Sequence, residues 1–268
     1  MLSVKKLVAR TLMLLLILYV LICTALYFFQ EKLLFFPDKL GKDHHFSFAI
    51  PFEELAIRTG EGISLNGLMF PADSARGLVF YLHGNGGSLE SWGGVAQRYT
   101  DLHYSVFMLD YPGYGKSEGS IHSQAQLFDA IQAAYDTMKK RYREDHIVVL
   151  GYSIGTGLAA HLAAPNHPRL LMLQAPYYSL TDMMRHAYPV IPTFLLRYRL
   201  RTNEYLARCT MPVVLFHGDQ DEVVYYGSSL KLEREFKPGD TLITLRGQGH
   251  NGMTDNPDYL SALQTVLK

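Results

Sequence analysis

The chain of 268 residues holds only two cysteines, Cys23 and Cys209. Cys23 falls in a long apolar run and Cys209 in the globular part. The two are not placed to meet, so a disulfide-stapled fold is excluded. Net charge is also lacking, because 25 basic side chains balance 25 acidic ones. No overall field therefore draws the protein to nucleic acid or to an acidic surface. Repeats, low-complexity tracts and Pro/Ser-rich linkers are missing, so neither a repeat array nor a string of tethered modules is indicated. No metal site is visible: His44 and His45 are adjacent residues without a partner cluster. No nucleotide or other cofactor is needed by the chemistry described below.

Apolar residues are plentiful, at 48%, and part of the excess lies in one place. From Thr11 to Phe29 the chain carries no charge. As a helix this stretch would be about 28 Å long, close to the thickness of a bilayer core. Lys5, Lys6 and Arg10 precede it, so the positive-inside rule predicts a cytoplasmic N-terminus and a domain across the membrane, in a periplasm, lumen or exterior. Tyr27, Phe28 and Phe29 would form an interfacial belt. A cleaved signal peptide is the rival reading, but Cys23-Thr24-Ala25 is a poor cleavage site and the run exceeds a usual signal core. A buried soluble helix is disfavoured because no polar face is visible. Residues 1–30 are thus expected to form a tail and anchor, 31–50 a juxtamembrane segment, and 51–268 the folded domain. Leu33, Leu34, Phe35 and Phe36, followed by Pro37, should lie on the membrane or on the domain.

Beyond Pro51 the apolar pattern alternates between strands and helices. Glu53–Thr59 and Ser64–Phe70 flank Gly60-Glu61-Gly62 and read as a hairpin. Strands are expected at Gly77–Leu82, Ser105–Leu109, Ile147–Leu150, Leu170–Gln174, Val213–His217 and Thr241–Leu245. One helix is expected to run through about Tyr99. Others cover Ser123–Arg143, with Leu127, Ile131, Ala134 and Met138 on one face, Ser228–Phe236 and Pro257–Leu267. Residues 176–211 read as irregular and aromatic-rich, a cap that would form an apolar acyl pocket or simply cover the sheet. Its arginines, Arg185, Arg197, Arg199, Arg201 and Arg208, would meet lipid headgroups, an anionic substrate or solvent. The whole predicts an α/β fold with a mostly parallel sheet covered on both faces, and catalytic loops at the strands' C-terminal ends.

The richest stretch is Gly151-Tyr152-Ser153-Ile154-Gly155, between an apolar strand and the small-residue run Gly155–Ala160. Strand, sharp turn and helix lift the Ser153 hydroxyl into the open and aim a helix N-terminus at whatever binds there. Side chains at Gly151 and Gly155 would clash where strand and helix pass. A serine is a weak nucleophile until a base takes its proton, and the base must be held by a third group. The order in such folds is Ser, acid, His. Among His186, His217 and His250, the last sits in a glycine-rich loop after the final strand and is the expected base. His217 more naturally holds its own turn. Asp221 is the favoured acid over Asp219, which suits a backbone-accepting turn role. An oxyanion hole needs two donors fixed in advance. The backbone N–H of Ile154 is one, and that of Asn85, in His83-Gly84-Asn85-Gly86-Gly87, is the other. Gly115-Lys116-Ser117 is similar to the tail of a phosphate loop, but Asp110 stands where its first glycine belongs, so the motif fails.

These residues resemble the α/β-hydrolase superfamily from about Phe52 onward, and within it the membrane-anchored, serine-aminopeptidase-like hydrolases and esterases. The signatures are His83–Gly87, Asp110–Gly119, Gly151–Gly155, His217–Val224 and Gly249-His250. The family pattern places the acid on the second aspartate of the fourth signature, Asp221. Tyr111-Pro112 departs from it, since an arginine is common before Gly113. The resemblance implies a serine hydrolase acting on carboxylic esters or thioesters, with acylated proteins conceivable as substrates. An aminopeptidase of the same fold would need an acidic group for the free amine, and none can be placed. A non-catalytic membrane-anchored binding module would have no need of a Ser–Asp–His set.

Overall fold

A computed structural model describes residues 4–268; the first three residues of the expected tail lie outside it. The chain opens with α1 (Val4–Phe28), a 25-residue apolar helix with no buried residue. The helix starts earlier than the uncharged run, taking in Lys5, Lys6 and Arg10. A short helix α2 (Gln30–Leu34) and a two-residue strand β1 (Phe36–Pro37) follow. Next come β2 (Glu53–Arg58), β3 (Ser64–Phe70), β4 (Gly77–Leu82) and a second short strand, β5 (Gly86–Gly87).

The expected single helix before β6 is broken into α3 (Leu89–Trp92), a 3-10 turn at Gly93–Ala96 and α4 (Gln97–Thr100). Gly93 and Gly94 are poor helix formers. Gly93 also leaves room for the Phe48 ring, whose nearest atoms would crowd a side chain there. Then follow β6 (Tyr104–Leu109), α5 (Gln124–Lys139), β7 (Ile147–Tyr152), α6 (Ile154–Ala163) and β8 (Leu170–Gln174). Helix α5 starts at a Ser123 cap, whose Oγ accepts the Gln126 N–H at 3.1 Å. It buries Leu127, Ile131, Ala134 and Met138, the face its periodicity predicts.

Residues 176–211 are less irregular than expected. They contain α7 (Leu180–Ala187), a 3-10 turn at Thr193–Leu195 and α8 (Thr202–Leu206). The signal for α7 is Ser179 followed three residues later by Asp182: Ser179 Oγ accepts the Asp182 N–H at 3.0 Å. The chain finishes with β9 (Val213–Gly218), α9 (Gly227–Leu232), β10 (Thr241–Leu245) and α10 (Pro257–Val266).

Eight strands form one sheet in the order β10-β9-β8-β7-β4-β6-β3-β2. From β10 to β6 all neighbours are parallel; β3 is antiparallel to β6, and β2 to β3. Alternation along β4 feeds two cores. Leu78, Phe80 and Leu82 join one with residues of α5 and α6, and Val79 and Tyr81 join the other with Tyr99, Tyr259 and Leu263. Burial on both faces is why the central strands read as continuous apolar runs. Parallel strands also deliver their following loops to one edge, and the candidate residues gather there.

The segment after α1 packs on the domain. Gln30 is buried: its Nε2 donates to Leu195 O at 3.1 Å, and its Oε1 accepts the Arg197 N–H at 2.7 Å. Strand β1 pairs in parallel with β5, Phe36 beside Gly86 and Pro37 beside Gly87. The stretch leaving the apolar helix is therefore bonded to the loop that carries Asn85.

Candidate active site

Ser153 stands between β7 and α6 with φ 51° and ψ −117°. A positive φ is costly for a residue with a Cβ and persists where surrounding structure over-determines it. Here the Ser153 N–H donates to Gln174 O at 2.8 Å, and its carbonyl accepts from both the Thr156 N–H (2.9 Å) and Thr156 Oγ1 (2.6 Å). The sharp turn also needs its two glycines. A Cβ on Gly151 would lie 2.8 Å from the Ala159 Cβ, and one on Gly155 would lie 2.8 Å from His83 O.

Three separate loops meet at this serine. His250, after β10, brings Nε2 to 3.1 Å from Ser153 Oγ. Its Nδ1 lies 2.8 Å from Asp221 Oδ2, on the loop after β9. An ionised carboxylate only accepts, so Nδ1 carries the hydrogen and Nε2 is left to accept from the serine hydroxyl. Backbone ties hold His250: Tyr152 Oη donates to His250 O, and the His250 N–H donates to Glu222 Oε2 at 3.2 Å. Asp219 accepts the Gly247 N–H at 2.7 Å, the turn role its position suggested.

Asp221 is saturated with donors. Oδ1 accepts the N–H groups of Val223 (2.9 Å) and Val224 (2.8 Å). Oδ2 receives His250 and also His217 Nε2, at 3.2 Å. Burial opposes the charge, yet the hydrogen bonds from His217 and His250, the electrostatic pull of the His250 ring and the Val224 amide hold the carboxyl well below its usual range. The His217 Nε2 also faces Val224 O at 2.9 Å, and its Nδ1 faces Ser229 Oγ at 2.6 Å. A ring nitrogen beside a carbonyl must donate, so Nε2 bears the hydrogen and Nδ1 accepts from the serine. His217 therefore does hold its loop, but it touches Asp221 as well. That contact was missed, although the four-residue spacing from His217 to Asp221 is the signal that could have found it. His186 stays apart, stacked on Tyr225 with centroids 4.0 Å apart.

The loop after β4 is fastened through four successive carbonyls. Tyr111 Oη donates to His83 O (2.8 Å), His83 Nδ1 to Gly84 O (2.7 Å), Tyr114 Oη to Asn85 O (2.8 Å) and Trp92 Nε1 to Gly86 O (2.8 Å). Burial pushes the His83 imidazole down to about 4, so the ring stays neutral and keeps its single donor role. The two tyrosines belong to the Asp110–Gly119 signature, and their service to this loop is a further feature sequence reading missed. Ile154 is the first residue of α6, so its N–H has no acceptor within the helix. Asn85 and Ile154 line one cleft of about 510 Å³ together with Ser153 and His250. The rest of its wall is mainly apolar, including Leu33 and Leu34 from α2 and Leu180 and Met183 from α7. Ser117 is elsewhere: its Oγ donates to Asp110 O (2.7 Å) and accepts the Asn66 N–H (2.8 Å), a strut and not a nucleophile.

Residues 77–208 match the family model described as the alpha/beta hydrolase fold. Over 201 residues the sequence is 32% identical to alpha/beta hydrolase domain-containing protein 17B of Xenopus laevis, covering 72% of this chain and 67% of that one. In fold, it is similar to a Pyrococcus furiosus esterase, with a TM-score of 0.70, 17% identity, and coverage of 87% of this chain and 96% of the other. It is likewise similar to Est1E from Butyrivibrio proteoclasticus, solved with ferulic acid bound, with a TM-score of 0.63, 21% identity, and coverage of 80% and 96%.

Proposed function

The chain belongs to the alpha/beta hydrolase family, and from that premise we propose that it is a membrane-anchored serine hydrolase cleaving carboxylic esters or thioesters. Ser153 Oγ attacks the carbonyl carbon while His250 Nε2 takes its proton. The carbonyl oxygen gains the negative charge and is met by the Asn85 and Ile154 N–H groups, a contribution of about 3 kcal/mol per donor in comparable sites. His250 returns the proton to the departing alcohol or thiol, leaving an acyl group on Ser153. Water, deprotonated by His250, then adds to the acyl carbon, and the acid leaves as Ser153 regains its proton. Asp221 stays ionised throughout, orienting His250 and stabilising its charged form.

The observation that carries this reading is the unbroken relay from Ser153 Oγ through both nitrogens of His250 to Asp221, at 3.1 and 2.8 Å. The nature of the wall favours an acyl substrate over a peptide N-terminus. None of the cleft-lining residues is an aspartate or glutamate, so nothing there would receive a free ammonium group. Residues 176–211 act as the cap, contributing Tyr177, Leu180 and Met183 to the acyl side. Helix α1 is the anchor, with the N-terminus cytoplasmic and the domain, 51–268, across the membrane; its apolar length with no buried residue supports the anchor, and Lys5, Lys6 and Arg10 at its start support the orientation.

A fluorophosphonate probe should label the purified protein, and Ser153→Ala should abolish labelling. Labelling that survives in that variant would exclude the serine mechanism. A panel of acyl esters from acetate to palmitate, set beside aminoacyl p-nitroanilides, separates the ester from the peptidase reading.

A further inference from the structure

Between Arg185 and Arg197 the chain carries no formally charged side chain, runs through Pro189 and Pro192, and leaves its largest apolar groups uncovered. Tyr188, Val190 and Phe194 are 64%, 74% and 76% exposed, an unusual density for one short loop of a soluble surface. The same loop sits against the apolar helix α1. Tyr19 Oη donates to Val190 O at 2.8 Å. Tyr27, Phe28, Pro192 and Leu195 share an apolar crevice between the two.

Depth along the helix makes this contact informative. Tyr19 lies eight positions before Tyr27, roughly 12 Å along the axis at 1.5 Å per residue. If Tyr27–Phe29 mark the interface, Val190 lies well inside the leaflet. Irregular backbone at that depth is tolerated only when its polar groups are satisfied by protein. The Tyr19 hydroxyl supplies that bond to the Val190 carbonyl. At the base of the loop, Arg185, Arg199 and Arg201 line a depression of about 410 Å³ together with Phe194. Arg201 is already paired with Glu204 at 3.0 Å. Arg185 and Arg199 suit an anionic headgroup, and Phe194 beside them suits the top of its acyl chain.

We propose that residues 187–196 form a second membrane contact, inserting into the leaflet beside α1 so that the cap takes its substrate directly from the lipid phase. The loop follows α7, whose Leu180 and Met183 line the cleft, and α2, whose Leu33 and Leu34 line it too, follows α1. Both cleft walls thus lead back to the bilayer, and a long acyl chain reaches Ser153 without crossing water. The inference rests on the reading of α1 as a membrane anchor.

The test uses the full chain in phosphatidylcholine–phosphatidylglycerol vesicles, with or without bromine on the acyl chains. Phe194→Trp adds one indole to a chain whose only tryptophan is Trp92. At least about half of the added emission should be lost in brominated vesicles, and iodide in the water should not reach it. Emission insensitive to bromine but quenched by iodide overturns the proposal. If the protein still floats with the vesicles and resists alkaline carbonate, only the second contact has failed; a protein that does not float overturns the anchor as well. The double variant Val190→Asp, Phe194→Asp should lose about tenfold in hydrolysis of a long-chain acyl thioester carried in the vesicle, with p-nitrophenyl acetate unaffected, because carboxylates are expelled from hydrocarbon. An unchanged rate on the vesicle substrate overturns the proposal.

Discussion

His217 Nε2 lies 3.2 Å from Asp221 Oδ2, on the same oxygen that receives His250 Nδ1. The acid of the relay is therefore shared between two imidazoles, one facing Ser153 and one sealed behind it. On the proposed mechanism His217 is a positioning residue, one that spreads the carboxylate's charge and fixes its plane.

Replacing His217 with phenylalanine keeps the ring's bulk and removes all three of its polar contacts, to Asp221, Val224 O and Ser229 Oγ. Relieved of that donor, Asp221 acts more strongly on His250 and favours its protonated form. The acidic limb of the kcat/KM profile should move to higher pH, with kcat down about tenfold, the scale of one hydrogen bond to a charged group. A profile that keeps its wild-type shape would reduce His217 to a packing residue.

The backbone of Ser153 stores strain at φ 51°. Ser153→Ala and Ser153→Gly should both lose hydrolysis, but they should differ in stability. Glycine adopts positive φ without a Cβ clash, so it should exceed alanine by about 1 kcal/mol in urea denaturation. Equal midpoints would mean that the turn carries no recoverable strain.

The oxyanion role assigned to Asn85 belongs to its backbone. Asn85→Ala retains the N–H and leaves the Tyr114 hydroxyl on the carbonyl of residue 85. Its kcat should stay within about threefold of wild type, against a loss of about a hundredfold or more when an oxyanion donor is truly removed. A loss of the latter size would transfer the role to the side chain.

Burial pushes the Asp110 carboxyl up to about 7, while Leu89 donates its N–H to Oδ1 at 3.0 Å. An unfolded aspartate titrates near about 3.9, so the folded chain holds this proton more tightly. The stability it contributes is complete below about pH 4 and is lost as pH rises towards 7. Asp110→Asn should flatten that part of the profile, measured as the denaturant midpoint from pH 4 to pH 8. An unaltered slope in the variant would place the titration elsewhere.

Much of this arrangement was readable from local pattern. The turn at Ser153 follows from a strand, two glycines and a small-residue helix, all within a few residues. The preference for Asp221 over Asp219 likewise agrees with which carboxylate reaches His250. What escaped was of two kinds. Short helices such as α7 carry too few turns for periodicity to show, and Gly93-Gly94 split a run that looked continuous. Long-range ties left no local trace: Tyr111 and Tyr114 serve a loop almost thirty residues away, and Gln30 binds residues 195, 197 and 198.

The two-residue ladder between Phe36–Pro37 and Gly86–Gly87 works as a splint. It leaves little slack between the apolar helix and the loop that carries Asn85, so if α1 is the anchor proposed above, Ser153 keeps one altitude and one tilt relative to it. On the proposed reading, an ester held in the bilayer would have to offer its scissile bond at that altitude.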